Sequence, residues 1–139
     1  NSSLALFKDN GVRSFSKVLI AVRPGRRNKR FIDVADKICR HFGASLTLLN
    51  IVSESDNNQK IKRTEKSSIE LISETKSKSV VKIIKSNNPV EAISEESASY
   101  DLLILGTPEK DNWIRVLFGS GEDRFVKKAA CSVLRLTIK

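Results

Sequence analysis

KVLIAVRPGRRNKRFIDVADKICRHFGASLTLLNIV, residues 17–52, changes its hydrophobic period twice. After Lys17 the run from Val18 to Val22 is continuously apolar and rich in β-branched side chains, and Arg23, Pro24 and Gly25 end it with turn chemistry. It reads as a strand buried on both faces. From Phe31 the spacing becomes three and four: Phe31, Val34, Ala35, Ile38 and Phe42 share one helical face, and Gly43 stands where a helix C-terminal glycine belongs. Residues 44–52 are then a second apolar strand after a minimal connection. Strand, helix and strand in this order form a βαβ unit, whose crossover requires the two strands to be parallel.

The alternation continues downstream. A polar, turn-rich stretch over residues 53–60 precedes a charged helix with Ile61, Glu65, Ile69 and Ile72 along one side, expected to end near Lys78. Residues 80–84 (VVKII) read as a third strand. Asn88 then suits a helix cap, Pro89 the first helical position and Glu91 a contact back to the cap, for a helix running to about Ser99. A fourth strand at 101–105, a loop at 106–119, a helix at 120–130 and a fifth strand at 132–138 complete the pattern. It predicts a doubly wound, five-stranded, mostly parallel α/β sheet of Rossmann-like type, with helices on both faces and ligands at the carboxyl ends of the strands. Residues 1–16 stand outside the alternation. Leu4, Leu6, Phe7, Val12 and Phe15 suit docking on the domain, and the segment equally suits a linker, so the domain is placed at 17–139 and 1–16 is an N-terminal extension or linker.

Composition bounds the function. A chain of 139 residues, 40% apolar and 6% aromatic, suits one compact domain. Its longest uncharged apolar run, residues 18–22, falls far short of the roughly 20 residues of a membrane helix, and the N-terminus lacks the apolar core of a signal peptide. A soluble, cytoplasmic domain is expected. Cys39 and Cys131 lie far apart at no metal spacing and are expected as reduced, packed thiols. His41 is the single histidine, and no acid–base pair, triad, metal cluster or P-loop is evident, so neither enzyme nor metal site is expected. Methionine is absent, which leads to the expectation of a piece excised from a longer chain. The net charge of +9 invites a nucleic-acid, an anionic-membrane or a plain solvation reading. Nucleic acid ranks last, because the basic cluster at residues 23–30 has no interleaved aromatic platform.

From Tyr100 the chain reads YDLLILGTPEKDNWIRVLFGSGEDRFVKKAACSVLRLTIK: an apolar strand ending at Gly106, a loop, Gly119 and Ser120 opening the last helix, then Ala130, Cys131, Ser132 and Val133. This order resembles the universal stress protein family, and residues 17–52 look like that family's first βαβ, so the resemblance covers 17–139. It implies an adenine nucleotide alpha hydrolase-like fold. Many family members bind ATP, and the resemblance implies Gly106, Gly119 and Ser120 as phosphate contacts, since glycines admit close backbone approach and a helix N-terminus offers donors. Two positions depart from the family pattern: Glu109 stands where a second glycine is expected, and Arg23 where an aspartate meets the nucleoside. Glu109 sets a carboxylate beside the phosphate path and Arg23 exchanges an acceptor for a donor. The reading is a degenerate nucleotide site at Gly106, Gly119, Ser120 and Arg23, with no cofactor expected and ATP, AMP or another nucleotide as the alternative. Arg23, Arg26, Arg27, Lys29 and Arg30 lie within eight residues without an acid, which suits another anion such as a cyclic dinucleotide, a phosphorylated partner or a headgroup, or a solvated charge run.

Plainer roles stand beside these. Ser120 with Asp123 makes a capping-box-like start, and Lys127 and Lys128 complement the end of that helix. His41 suits the C-terminal end of its helix, and Cys131 suits strand packing. Trp113, Ile114, Val116, Leu117 and Phe118 are expected to pack as a lid-like segment on the domain. Two functions are carried forward. The first is a non-enzymatic regulatory domain of a larger transport protein, contacting its transmembrane part or an anionic membrane surface from the cytoplasm. The alternative is a freestanding or tandem universal stress protein binding ATP or AMP in stress response. The resemblance also implies a homodimer through the strand at 132–138, expected at the sheet's edge.

Overall fold

The computed structural model describes residues 4–8, 15–21, 28–106 and 132–137. In chain order its elements are β1 (Leu4–Lys8), β2 (Lys17–Ala21), α1 (Asn28–Phe42), β3 (Ser45–Val52), α2 (Asn58–Ile72), β4 (Ser79–Lys85), α3 (Pro89–Ser97), β5 (Leu102–Gly106) and β6 (Ser132–Thr137). The strands form one six-stranded sheet in the order β1-β6-β5-β2-β3-β4. All neighbours run parallel except β1, which pairs antiparallel with β6 from Leu4↔Thr137 to Lys8↔Val133.

The central strands are apolar throughout because both of their faces are covered. Val18, Ile20, Leu46, Leu48, Leu102 and Ile104 pack on one side with Phe31, Ile32, Ala35 and Cys39 of α1. Leu19, Ala21, Leu49, Leu103 and Leu105 pack on the other with Ile93 of α3. Helix α1 ends at Gly43, whose φ of +66° is the left-handed conformation glycine adopts without penalty, and the Ala44 N–H returns to the Cys39 carbonyl at 2.8 Å. Helix α3 begins as its sequence predicts, with Asn88 Oδ1 accepting from the Glu91 N–H and Asn88 Nδ2 donating to the Glu91 carboxylate.

Three expectations are corrected. The described sheet has six strands rather than five, because residues 4–8 of the presumed extension form a strand of their own. The last strand is consequently not an edge: β1 lies on its outer side, and the sheet's edges are β1 and β4. Helix α2 stops at Ile72 rather than near Lys78, where the Ser73 and Thr75 hydroxyls donate to the carbonyls of Glu70 and Ile72 and close the helix early. Its inward side also differs. Ile69 is half exposed, whereas Ser68 is buried and Leu71 and Ile72 pack against the core.

Candidate functional site

The chain leaves β2 towards β3 and β4 on one side, then returns through α3 to β5 on the other. The order of strands therefore reverses between β2 and β5, where Ala21 lies opposite Leu105 and Gly106 closes β5. Crossovers diverge at such a reversal and leave a crevice outside the carboxyl ends of the two strands, the general ligand position in open α/β sheets.

The wall on the β3 side is well fixed. Ala21 pairs with Leu49, and β3 continues through Asn50, Ile51 and Val52, which rise about 10 Å further at the usual strand rise. Above them Ser53 donates its N–H to Asp56 Oδ2 at 3.1 Å. Asn87 accepts on Oδ1 from the Ser53 hydroxyl and the Glu54 N–H, and donates from Nδ2 to the Glu54 carboxylate. The Ser86 N–H meets the Val52 carbonyl at 2.9 Å, so the loops after β3 and β4 are tied into one shoulder. Asn57 then caps α2, its Oδ1 accepting from the Lys60 N–H at 2.8 Å.

Of the residues singled out in the sequence, Gly106 lies at the crevice, at the end of β5 opposite Leu136. Arg23, Glu109, Gly119 and Ser120 lie outside the described residues, as do Trp113, the apolar stretch around it and Cys131. Within the basic cluster, Lys29 and Arg30 fall on the first turn of α1, and Lys29 pairs with Glu74 at 3.1 Å. Both are exposed, whereas Arg26 and Arg27 lie outside the described residues. His41 is exposed in the last turn of α1, edge-on to Phe42. Cys39 is fully buried, and burial, aided by the Asp36 charge, pushes its thiol up to about 11, so it stays protonated and unreactive near neutral pH.

The other shifted groups hold the fold. Asp101 sits at the amino end of β5, opposite the crevice, and accepts from Ser16 and Lys17 beside the start of β2. Asp36 on α1 holds the turn before β4 through Ser77 and Lys76. Lys82 is held above its ordinary range by its bond to Glu96, which ties β4 to α3. Sequence reasoning missed the tasks of Asp36 and Asp101 and the buried contact between Asn50 and Ser68, because the backbone and hydroxyl groups they bond lie 18 or more residues away and leave no local signal.

A family model for the universal stress protein family matches residues 14–136. No curated protein matches the chain. Among solved structures, a universal stress protein in complex with cAMP superposes with a TM-score of 0.65 at 18% identity, covering 88% of this chain and 96% of that one. UspA from Lactobacillus plantarum gives 0.62 at 18% identity, covering 91% and 99%. The Archaeoglobus fulgidus protein in complex with dAMP gives 0.62 at 15%, covering 87% and 97%. At these identities the superpositions establish the fold, and the match over residues 14–136 establishes the lineage: this chain belongs to the universal stress protein family.

Proposed function

We propose that the crevice outside β2 and β5 binds a small anion of the adenosine monophosphate type, and that the domain is a regulatory binding module rather than a catalyst. The observation that carries this reading is the reversal of strand order beside Gly106. Two structures of the same fold are complexes with cAMP and dAMP, each carrying one phosphate. In the sequence, Glu109 occupies the second glycine position of the family pattern, and a carboxylate there opposes a triphosphate chain more strongly than a single phosphate. Arg23 and the basic residues after it favour an anion without requiring a long one.

Calorimetric titration with AMP, cAMP and ATP, with and without Mg²⁺, tests this. AMP or cAMP is expected to bind more tightly than ATP, and Glu109→Gly to raise ATP affinity roughly tenfold, about 1.4 kcal/mol. ATP binding at least as tight as AMP in the unaltered chain, or no heat from any of the three, overturns the reading.

The setting we propose is the cytoplasmic regulatory part of a membrane transport protein. The net charge of +9 and the basic run over residues 23–30 support it, since both suit an anionic leaflet. No helix among the described residues is long and apolar enough to cross a membrane, so in this setting the spans belong to another part of the protein.

A further inference from the structure

A second cavity, of about 510 Å³, lies on the flank of the sheet between the first turn of α1 and the length of α2. It exists because of what α2 turns inwards. A helix packed on a sheet normally fills this space with large apolar side chains, but α2 lines it with buried Ser68, half-buried Thr64 and, at the rim, exposed Ser67, which are too small to fill it. On the facing strand the same substitution occurs: Leu46 and Leu48 are apolar, and the next residue of that face is Asn50.

Asn50 and Ser68 are 4% and 3% exposed and bond to each other, Asn50 Nδ2 donating to Ser68 Oγ. Among the described residues nothing donates to Asn50 Oδ1 and nothing accepts the Ser68 hydroxyl proton. No fully buried side-chain N or O among the described residues lacks a partner, so this polar floor is satisfied within the fold, and what it keeps for a ligand is the remaining acceptor capacity of Asn50 Oδ1 towards the cavity.

The wall is charged in a definite order. Lys60, Arg63, Ser67 and Glu70 recur at three- and four-residue spacing, so they form one row along α2, cations in its first half and a carboxylate towards its end, with Glu74 adding a second carboxylate just past the helix. Lys60 is paired with Asp56 and Lys29 with Glu74, whereas Arg63 makes no ion pair among the described residues. A guanidinium one turn from an ammonium suits a phosphate, and carboxylate and amide oxygens further along suit hydroxyl groups.

We propose that this cavity binds a phosphate monoester of a polyhydroxylated small molecule, a sugar phosphate in chemical class, with the phosphate at Arg63 and Lys60 and the hydroxyls over Asn50, Ser67 and Glu70. The volume lies within the range of small-ligand pockets. Of its lining residues only Lys29 belongs to the basic run beside the crevice, and neither Ala21 nor Gly106 lines it, so the site is probed separately from the nucleotide reading.

The test is an NMR titration of the isotopically labelled full chain with ribose 5-phosphate, ribose and inorganic phosphate as separate probes. Ribose 5-phosphate is expected to saturate below about 10 mM, shifting the Asn50 side-chain amide and the α2 amides, with each fragment at least roughly tenfold weaker. Arg63→Gln is expected to weaken it roughly tenfold, and Ser68→Leu, which fills the cavity, to abolish it while the amide spectrum elsewhere stays folded. Absence of saturation, shifts at Ala21 and Gly106 in place of Asn50, unchanged affinity in Arg63→Gln, or inorganic phosphate binding as tightly as the ester would each overturn the proposal. AMP shifting only the Ala21 and Gly106 amides leaves this outcome unaffected, so the two sites succeed or fail separately.

Discussion

Asp101 joins two strands at the end of the sheet away from the crevice. Its Oδ2 accepts from the Ser16 N–H, the Ser16 hydroxyl and the Lys17 N–H at 2.8, 2.8 and 3.0 Å. These bonds, led by the Ser16 backbone, outweigh burial and hold the carboxyl below its ordinary range. In Asp36 burial works the other way and is the largest effect, yet the Ser77 hydroxyl, the N–H groups of Ser77 and Lys76 and the Arg40 charge together bring the carboxyl down. Both groups bind a proton less readily folded than unfolded. Their stabilisation is thus fully present above the ordinary carboxylate range near ~4 and is lost as pH falls through the lowered folded values. Asp101→Ala is expected to cost about 1–2 kcal/mol at pH 7, with the gap to the parent narrowing at pH 3. Urea unfolding at the two pH values measures it, and equal stability at pH 7 would refute the role. Asp101 is visible in the sequence as part of the family pattern, but its task is not, since Ser16 lies 85 residues away.

The elements show where local pattern suffices and where it does not. Residues 17–52 were legible because each change of period marks a change of element, and α3 because Asn88, Pro89 and Glu91 lie next to one another. Helix α2 keeps Ile72 of its apolar stripe against the core but turns Ser68 inwards where the stripe would place Ile69. Ile69 is the larger apolar residue, but α2 meets the sheet at Asn50, and a hydrogen bond to that buried amide requires Ser68 to face it. Strand β1 was undecided because five residues with no parallel partner carry no crossover signal; β6 supplies its pairing from the far end of the chain. The consequence concerns assembly. The open edge at β4 carries exposed Lys82 and Lys85, charges of the kind that discourage edge pairing, whereas the β6 edge is covered by β1. The full chain is expected to remain monomeric, and a chain lacking residues 1–9 to self-associate through β6, as read by light scattering on a column. Circular dichroism confirms that the shortened chain is folded, and a peptide of residues 1–10 is expected to restore the monomer. Dimers of the full chain at the same concentration refute this guarding role.

Across the whole molecule, fold and charge converge on one edge. The parallel core, the reversal between β2 and β5 and the end of β5 at Gly106 all follow from alternation that the sequence displays, whereas the geometry at Arg23, Glu109, Gly119 and Ser120 lies outside the described residues. Five of the 25 basic residues stand in residues 23–30 with no acid among them. That segment joins the carboxyl end of β2 to the first turn of α1, so a large part of the excess charge enters and leaves at the edge where the crevice opens. Each Lys or Arg near an anionic bilayer contributes about 1 kcal/mol, and the attraction fades within a Debye length, so a concentrated cluster binds where a dispersed +9 does not. Sedimentation with phosphatidylserine vesicles at low salt is therefore expected to retain the domain, with release at about 0.5 M salt and no retention on neutral phosphatidylcholine. Reversing two charges, Arg26→Glu with Arg27→Glu, is expected to weaken retention by more than reversing two dispersed lysines, Lys62→Glu with Lys66→Glu, on α2. Equal losses from the two pairs would show that total charge alone acts, and equal binding to both lipids would remove the membrane surface from the account of what this basic edge faces.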